Sequence, residues 1–133
     1  MQTNPQTPAS PSAAKTVLVV DDFASVRFYH ANLLRQAGYR SIDARDGFEA
    51  FEKLRQQRID LILLDMIMPK MSGEEFIRRI RATSEFARIP LLVITSEAVK
   101  DSIRQFSGDG PLGFAMKPVL PATLLEAVRK LLV

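Results

Sequence analysis

A chain of 133 residues, 47% hydrophobic, 25% charged and 8% aromatic, has the size and make-up of one folded domain, which leaves no room for a second catalytic domain and argues against wholesale disorder. The absence of cysteine excludes disulfide scaffolds, thiolate metal sites and cysteine nucleophiles, and no apolar run approaches the roughly 20 residues of a membrane-spanning helix, so a cytoplasmic location is expected. The net charge of +3 does not indicate nucleic-acid binding, because Lys and Arg alternate with Glu and Asp along the prospective helix faces; the local cluster Arg78, Arg79 and Arg81 reads as exposed helix, with an acidic partner as the minor alternative.

Residues 1–14 hold three prolines among Gln, Thr, Ser and Ala and read as a disordered tail, without the basic start or apolar stretch of a secretory signal. From Lys15 the chain alternates short aliphatic runs with amphipathic segments, the pattern of strand–helix units in a parallel sheet. Strands are expected at Thr16–Val20, weakly at Ser41–Ala44, and at Leu61–Leu64, Leu91–Ile94 and Gly113–Met116. The first helix is expected over Ala24–Ala37, with Val26, Leu33 and Ala37 on its apolar stripe and Gly38 as a left-handed cap. The second, about Gly47–Gln56, presents Phe48, Phe51 and Leu54, and the third, about Gly73–Ala82, presents Phe76, Ile77 and Ile80. A fourth helix would carry Val99, Ile103 and Phe106 before a glycine-rich loop. The last opens at Pro121 and aligns Leu124, Leu125, Val128, Leu131 and Leu132, with no output domain expected after it.

Ligand sites of parallel α/β sheets lie beyond the carboxyl ends of the strands, so the polar residues that end apolar runs are the candidates. The first run ends in Asp21-Asp22, the third in Asp65, the fourth in Thr95 and the fifth in Lys117-Pro118. Three carboxylates on one edge repel unless a cation joins them, and all-oxygen donors favour Mg²⁺. A carboxylate can act as nucleophile toward phosphorus, with Mg²⁺ and the Lys117 ammonium neutralising the equatorial oxygens and Thr95 donating a hydrogen bond; Asp65, on the central strand, is the natural acceptor.

Asp21-Asp22, Asp65-Met66-Ile67-Met68-Pro69, Gly73, Thr95-Ser96 and Lys117-Pro118, in that order, resemble the receiver domain of two-component response regulators, over essentially Lys15–Val133. The resemblance implies a flavodoxin-like (CheY-like) doubly wound five-stranded parallel sheet of order 2-1-3-4-5 with five helices. It implies Asp65 as phosphoacceptor, Asp22 as direct and Asp21 as water-mediated Mg²⁺ ligand, and the Ile67 main-chain carbonyl as a further ligand. Lys117 would pair with the phosphoryl oxygens, Thr95 would be the switch hydroxyl, Phe114 the switch aromatic, and Pro118 would follow a cis peptide bond. The implied partners are a histidine kinase or phosphotransfer protein and a downstream effector that contacts the face formed by the fourth helix, fifth strand and fifth helix. The implied state is a monomer or a weak, phosphorylation-dependent dimer, acting as a switch and not as an enzyme.

Taken singly, these residues have plainer readings: Asp21 or Asp22 as a helix cap, Asp65 as a turn former, Thr95 as a capping hydroxyl, Lys117 as a solvated lysine, Phe114 as core and His30 as a packed or surface histidine. Their joint placement favours the site. Two departures from the family pattern stand out. Ile67 replaces a residue that is often polar, from which slow self-dephosphorylation is expected, against the opposite pull of Glu97; and the stretch 107–113 casts doubt on the end of the fourth helix. An aspartate-nucleophile phosphatase is disfavoured because Ile67 leaves no general acid two residues past Asp65, and a flavin or nucleotide domain because two acids, not a glycine-rich cradle, follow the first strand. A receiver-like scaffold that never accepts phosphate is the remaining alternative.

Overall fold

The computed structural model describes residues 14–66, 70–106 and 108–133. Apart from Ala14, the expected tail at 1–14 lies outside the described residues, as do Ile67 and Ser107. Among the described residues ten elements alternate: β1 (Thr16–Val20), α1 (Ala24–Gln36), β2 (Arg40–Ala44), α2 (Gly47–Gln56), β3 (Leu61–Asp65), α3 (Gly73–Ala82), β4 (Leu91–Thr95), α4 (Glu97–Phe106), β5 (Leu112–Met116) and α5 (Pro121–Leu132). The strands form one parallel sheet in the order β2-β1-β3-β4-β5, the doubly wound α/β arrangement expected of the resemblance.

Because successive side chains on a strand point to opposite faces, the aliphatic runs supply two cores at once. Leu18, Val20, Ile62, Leu64, Leu91 and Val93 face α2, α3 and α4, where Leu54, Phe76, Ile77, Ile80 and Ile103 meet them. Val17, Val19, Leu61, Leu63, Leu92 and Ile94 face α1 and α5, where Leu34, Leu124 and Val128 close the other layer. Burial on both faces is what lets β1, β3 and β4 be continuously apolar. The edge strands β2 and β5 are covered less completely, which is why Ser41–Ala44 gives only a weak strand signal in the sequence.

Several local expectations need correction. The buried stripe of α1 is His30, Ala31 and Leu34; Val26 and Leu33 flank it half-buried, and Ala37 is exposed at the cap, so the helix is rotated from the expected register to bring Leu34 onto β1. Gly38 adopts φ +97°, while the Tyr39 N–H donates to the Leu34 carbonyl and the Gly38 N–H to the Arg35 carbonyl, both at 3.0 Å; this is the Schellman ending anticipated for it. Phe48 does not cover the sheet: it is 53% exposed, and Gly47, Ala50 and Leu54 form the buried face of α2. The fourth helix forms despite the glycines after it, with Ile103 buried but Val99 largely exposed.

The basic cluster is not a uniform exposed patch. Arg78 and Arg79 pair along α3 with Glu74 and Glu75. Arg81 turns inward, and its guanidinium donates to the carbonyls of Ala87 (2.9 Å), Ile89 (2.7 Å) and Pro111 (2.6 Å). It thereby fastens the end of α3 to the loops before β4 and β5. No helix among the described residues is long and apolar enough to cross a membrane.

Candidate functional site

Strand register brings the candidates to one edge of the sheet. Val20 pairs with both Ala44 and Leu64, Asp65 with Ile94, and Thr95 with Met116, so Asp21 and Asp22 leave β1 beside Asp65, while Lys117 leaves β5 beside Thr95. The Lys117 N–H donates to the Thr95 carbonyl at 3.0 Å, which fixes the departing chain, and the Lys117–Pro118 peptide is cis as the resemblance implied.

The Asp65 side chain is 17% exposed, and Lys117 Nζ stands 3.3 Å from Oδ2 and 3.4 Å from Oδ1. The cation therefore straddles the carboxylate. Asp21, only 2% exposed, lies near enough to Asp65 for the two carboxylates to interact. Its backbone N–H donates to the Ala44 carbonyl at 3.1 Å, and its Oδ1 accepts from the Phe23 N–H at 2.9 Å. Burial pushes the Asp21 carboxyl up to about 6, the Phe23 amide opposes that shift, and the charges of Asp65 and Asp22 add to it.

Asp22 is half-buried beside this pair. Among the described residues no group of three acidic or histidine side chains is gathered closely enough to form a ready cage for a metal ion. What is present is a buried acid that resists ionisation, a second carboxylate against it and a third one residue away. Such an all-oxygen donor set fits a hard divalent cation such as Mg²⁺ better than any softer metal. Ile67, the remaining expected ligand, lies outside the described residues.

Thr95 is buried at the tip of β4. Phe114, two residues before Met116 on β5, packs half-buried against the α2–α4 core, and Lys100 Nζ and Arg104 Cζ of α4 lie 5.8 and 5.2 Å from its ring centroid. Two cations from α4 thus hold the aromatic face. His30 is buried on α1, where burial lowers its imidazole pKa, in line with the plain reading of a packed histidine.

Gly73, quoted only as part of a motif, has a steric reason. A Cβ there would stand 2.8 Å from the Met66 carbonyl oxygen and 2.9 Å from Met66 Cα, so only glycine lets α3 start this close to the residue that follows Asp65. Sequence reasoning missed Arg27. Its Nη1 donates to the Asp21 carbonyl at 2.7 Å and its Nε to Asp43 Oδ2 at 2.9 Å, joining the acidic loop to β2.

Comparison with known proteins agrees with this arrangement. The family described as the response regulator receiver domain matches residues 17–129. The chain is 36% identical to chemotaxis protein CheY-3 of Vibrio cholerae over 116 residues, 86% of this chain and 89% of that one, and 34% identical to chemotaxis protein CheY of Pseudomonas aeruginosa, with 86% and 94% covered. Among solved structures, Vibrio cholerae CheY4 superposes with a TM-score of 0.80 at 35% identity, covering 89% of this chain and 98% of that one, and a response regulator receiver protein from Pseudomonas putida with 0.79 at 32%, covering 88% and 97%. Motif, sheet order, site geometry and sequence similarity converge: the chain belongs to the response regulator receiver family.

Proposed function

We propose that this receiver is a phosphoacceptor switch in which Asp65 takes a phosphoryl group from the phosphohistidine of a histidine kinase or phosphotransfer protein. One Asp65 oxygen forms the new O–P bond as the N–P bond breaks, and the imidazole nitrogen keeps the bonding electron pair. The observation that carries the reading is the setting of Asp65: a partly accessible carboxylate at the end of the central strand, straddled by Lys117 at 3.3 Å and backed by a buried acid. Lys117 is 43% exposed, so it can swing from the carboxylate to the incoming phosphoryl oxygens.

Asp21, Asp22 and the main-chain carbonyl of Ile67 are the residues that would hold Mg²⁺, which receivers of this family typically bind; once bound it supplies positive charge toward the phosphoryl oxygens. The Thr95 hydroxyl is the donor assigned to the phosphorylated state, and Phe114 the aromatic that follows it. The output face is α4, β5 and α5, where Val99 on α4 and Leu120 at the start of α5 are exposed and offer apolar contact to an effector protein.

The test is radiolabelled acetyl phosphate, or a phosphorylated histidine kinase, with Mg²⁺ present. Label is expected on the wild-type protein and absent from Asp65→Asn. Label that persists on Asp65→Asn overturns the assignment of the acceptor, and a wild-type protein that no donor can label overturns the switch in favour of a phosphate-independent scaffold.

A further inference from the structure

The loop that carries Asp21 and Asp22 enters α1 without a side-chain cap, as the chain also enters α5 at Leu120. α2 and α3 are each capped by a side chain, Asp46 Oδ1 accepting from the Glu49 N–H at 2.8 Å and Ser72 Oγ from the Glu75 N–H at 3.1 Å. The N-cap of α1 is Phe23, which has no side-chain cap, and the first turn holds no acidic residue. The contacts that do hold this turn matter, because the position of two carboxylates depends on it.

We propose that Arg27 is the positioning residue for the acidic loop, and that it sets the affinity of Asp21 and Asp22 for a divalent cation; the affinity claim rests on reading those two acids as metal-holding groups. Arg27 is one turn into α1, and its side chain is only 16% exposed. One arm of its guanidinium holds the Asp21 carbonyl at 2.7 Å, while Nε reaches Asp43 Oδ2 on β2 at 2.9 Å. Asp21 is therefore tied at three points: its N–H to Ala44, its Oδ1 to the Phe23 N–H, and its carbonyl to Arg27. The first two bonds are made with backbone groups. The third is made with the Arg27 side chain and is the one that a substitution outside Asp21 removes.

The fork geometry matters. A planar guanidinium bonds two acceptors in different directions at once, whereas a lysine ammonium is a single point that cannot span both the loop carbonyl and Asp43. Outer-shell partners that orient metal-holding groups typically carry about 10–100-fold in metal affinity. The guanidinium also brings a fixed positive charge to a loop with two carboxylates, and it does so without entering the site itself.

The experiment compares the full chain with Arg27→Ala, Arg27→Lys and Asp43→Asn. Hydrogen exchange of the Phe23 amide in metal-free protein reads the loop directly, and Mg²⁺ titration followed by backbone amide shifts reads the affinity. In Arg27→Ala the Phe23 amide is expected to exchange about tenfold faster or more, and the Mg²⁺ dissociation constant to rise about 10–100-fold. Arg27→Lys should fall between, and Asp43→Asn should shift both readings by less than Arg27→Ala because the bond to the Asp21 carbonyl survives. With acetyl phosphate the half-saturating Mg²⁺ concentration should rise while the rate at saturating Mg²⁺ stays within a few-fold, a split that general loss of stability would not produce.

Arg27→Ala with Phe23 exchange and Mg²⁺ affinity both within twofold of wild type overturns the inference. A wild-type protein that takes up no Mg²⁺ overturns the metal reading and the affinity claim together. In that case the exchange of Phe23 still decides whether Arg27 holds the loop.

Discussion

Asp21 is a carboxylate buried against another carboxylate, and its proton binding follows from that placement. Its pKa rises from 3.8 in an ordinary setting to about 6 here. A raised acid binds its proton more tightly in the folded state than in the unfolded one, so its contribution is greatest at low pH and is lost as pH climbs from about 4 through 6. Metal-free protein should therefore lose stability across that window relative to Asp21→Asn, by an amount on the order of 2 kcal/mol. Asn can still accept the Phe23 N–H, so the loop should survive the change. Urea melts of both proteins at pH 4.5 and 7.5 measure the difference, and parallel pH profiles would refute the assignment. At pH 7.5, adding Mg²⁺ should stabilise the wild-type protein and have much less effect on the variant. The Lys117–Asp65 pair is a different case: a partly exposed pair contributes only about 0–1 kcal/mol, so its placement bears on the site and little on the fold.

At the scale of elements, the site depends on how closely a helix start approaches a strand end. α3 begins with Ser72 as cap and Glu74 and Glu75 in the first turn, and it buries Phe76, Ile77 and Ile80 completely. That anchoring leaves it little freedom to retreat from Met66. Gly73→Ala improves helix propensity by about 1 kcal/mol yet puts a methyl group within 2.9 Å of Met66 backbone atoms, which cannot give way as a flexible side chain would. The steric cost is expected to win, with a net loss of about 1–3 kcal/mol and a slower phosphorylation of Asp65 as the strand end shifts. Thermal melts and acetyl phosphate kinetics check both halves. A variant as stable as wild type would show that the approach of α3 to β3 is looser than the geometry requires.

For the molecule as a whole, the counterpart of the acidic edge is a brace at the opposite end of the strands. Arg81 donates to carbonyls that precede β4 and β5, and burial lowers its pKa to about 10. The guanidinium thus ties three loop carbonyls to the end of α3, and the Pro111 carbonyl also accepts from the Leu91 N–H at 3.0 Å, so the contact helps fix where both strands begin. Arg81→Lys keeps the charge but cannot serve carbonyls in two loops; a loss of about 1–3 kcal/mol is expected, read as a lower urea midpoint, and an unchanged midpoint would show that the brace is dispensable. The same contact anchors the chain at Pro111, just before β5.

The sequence by itself determined the α/β class, the central strands and the four strand ends that bear Asp21, Asp22, Asp65, Thr95 and Lys117, because doubly buried strands must be continuously apolar and a polar residue marks where burial stops. It also determined the Gly38 cap and the buried stripe of α3, both set by local periodicity and backbone freedom. Only the tertiary structure decided the rest. The rotation of α1 onto His30, Ala31 and Leu34, the outward turn of Phe48 and the inward turn of Arg81 depend on what each helix meets across the sheet, which a one-dimensional pattern does not contain. The grip of Arg27 on Asp21 and Asp43, and the approach of Asp21 to Asp65, are through-space contacts between residues far apart or differently placed along the chain. Their energies depend on burial and distance, and those quantities exist only once the sheet has assembled.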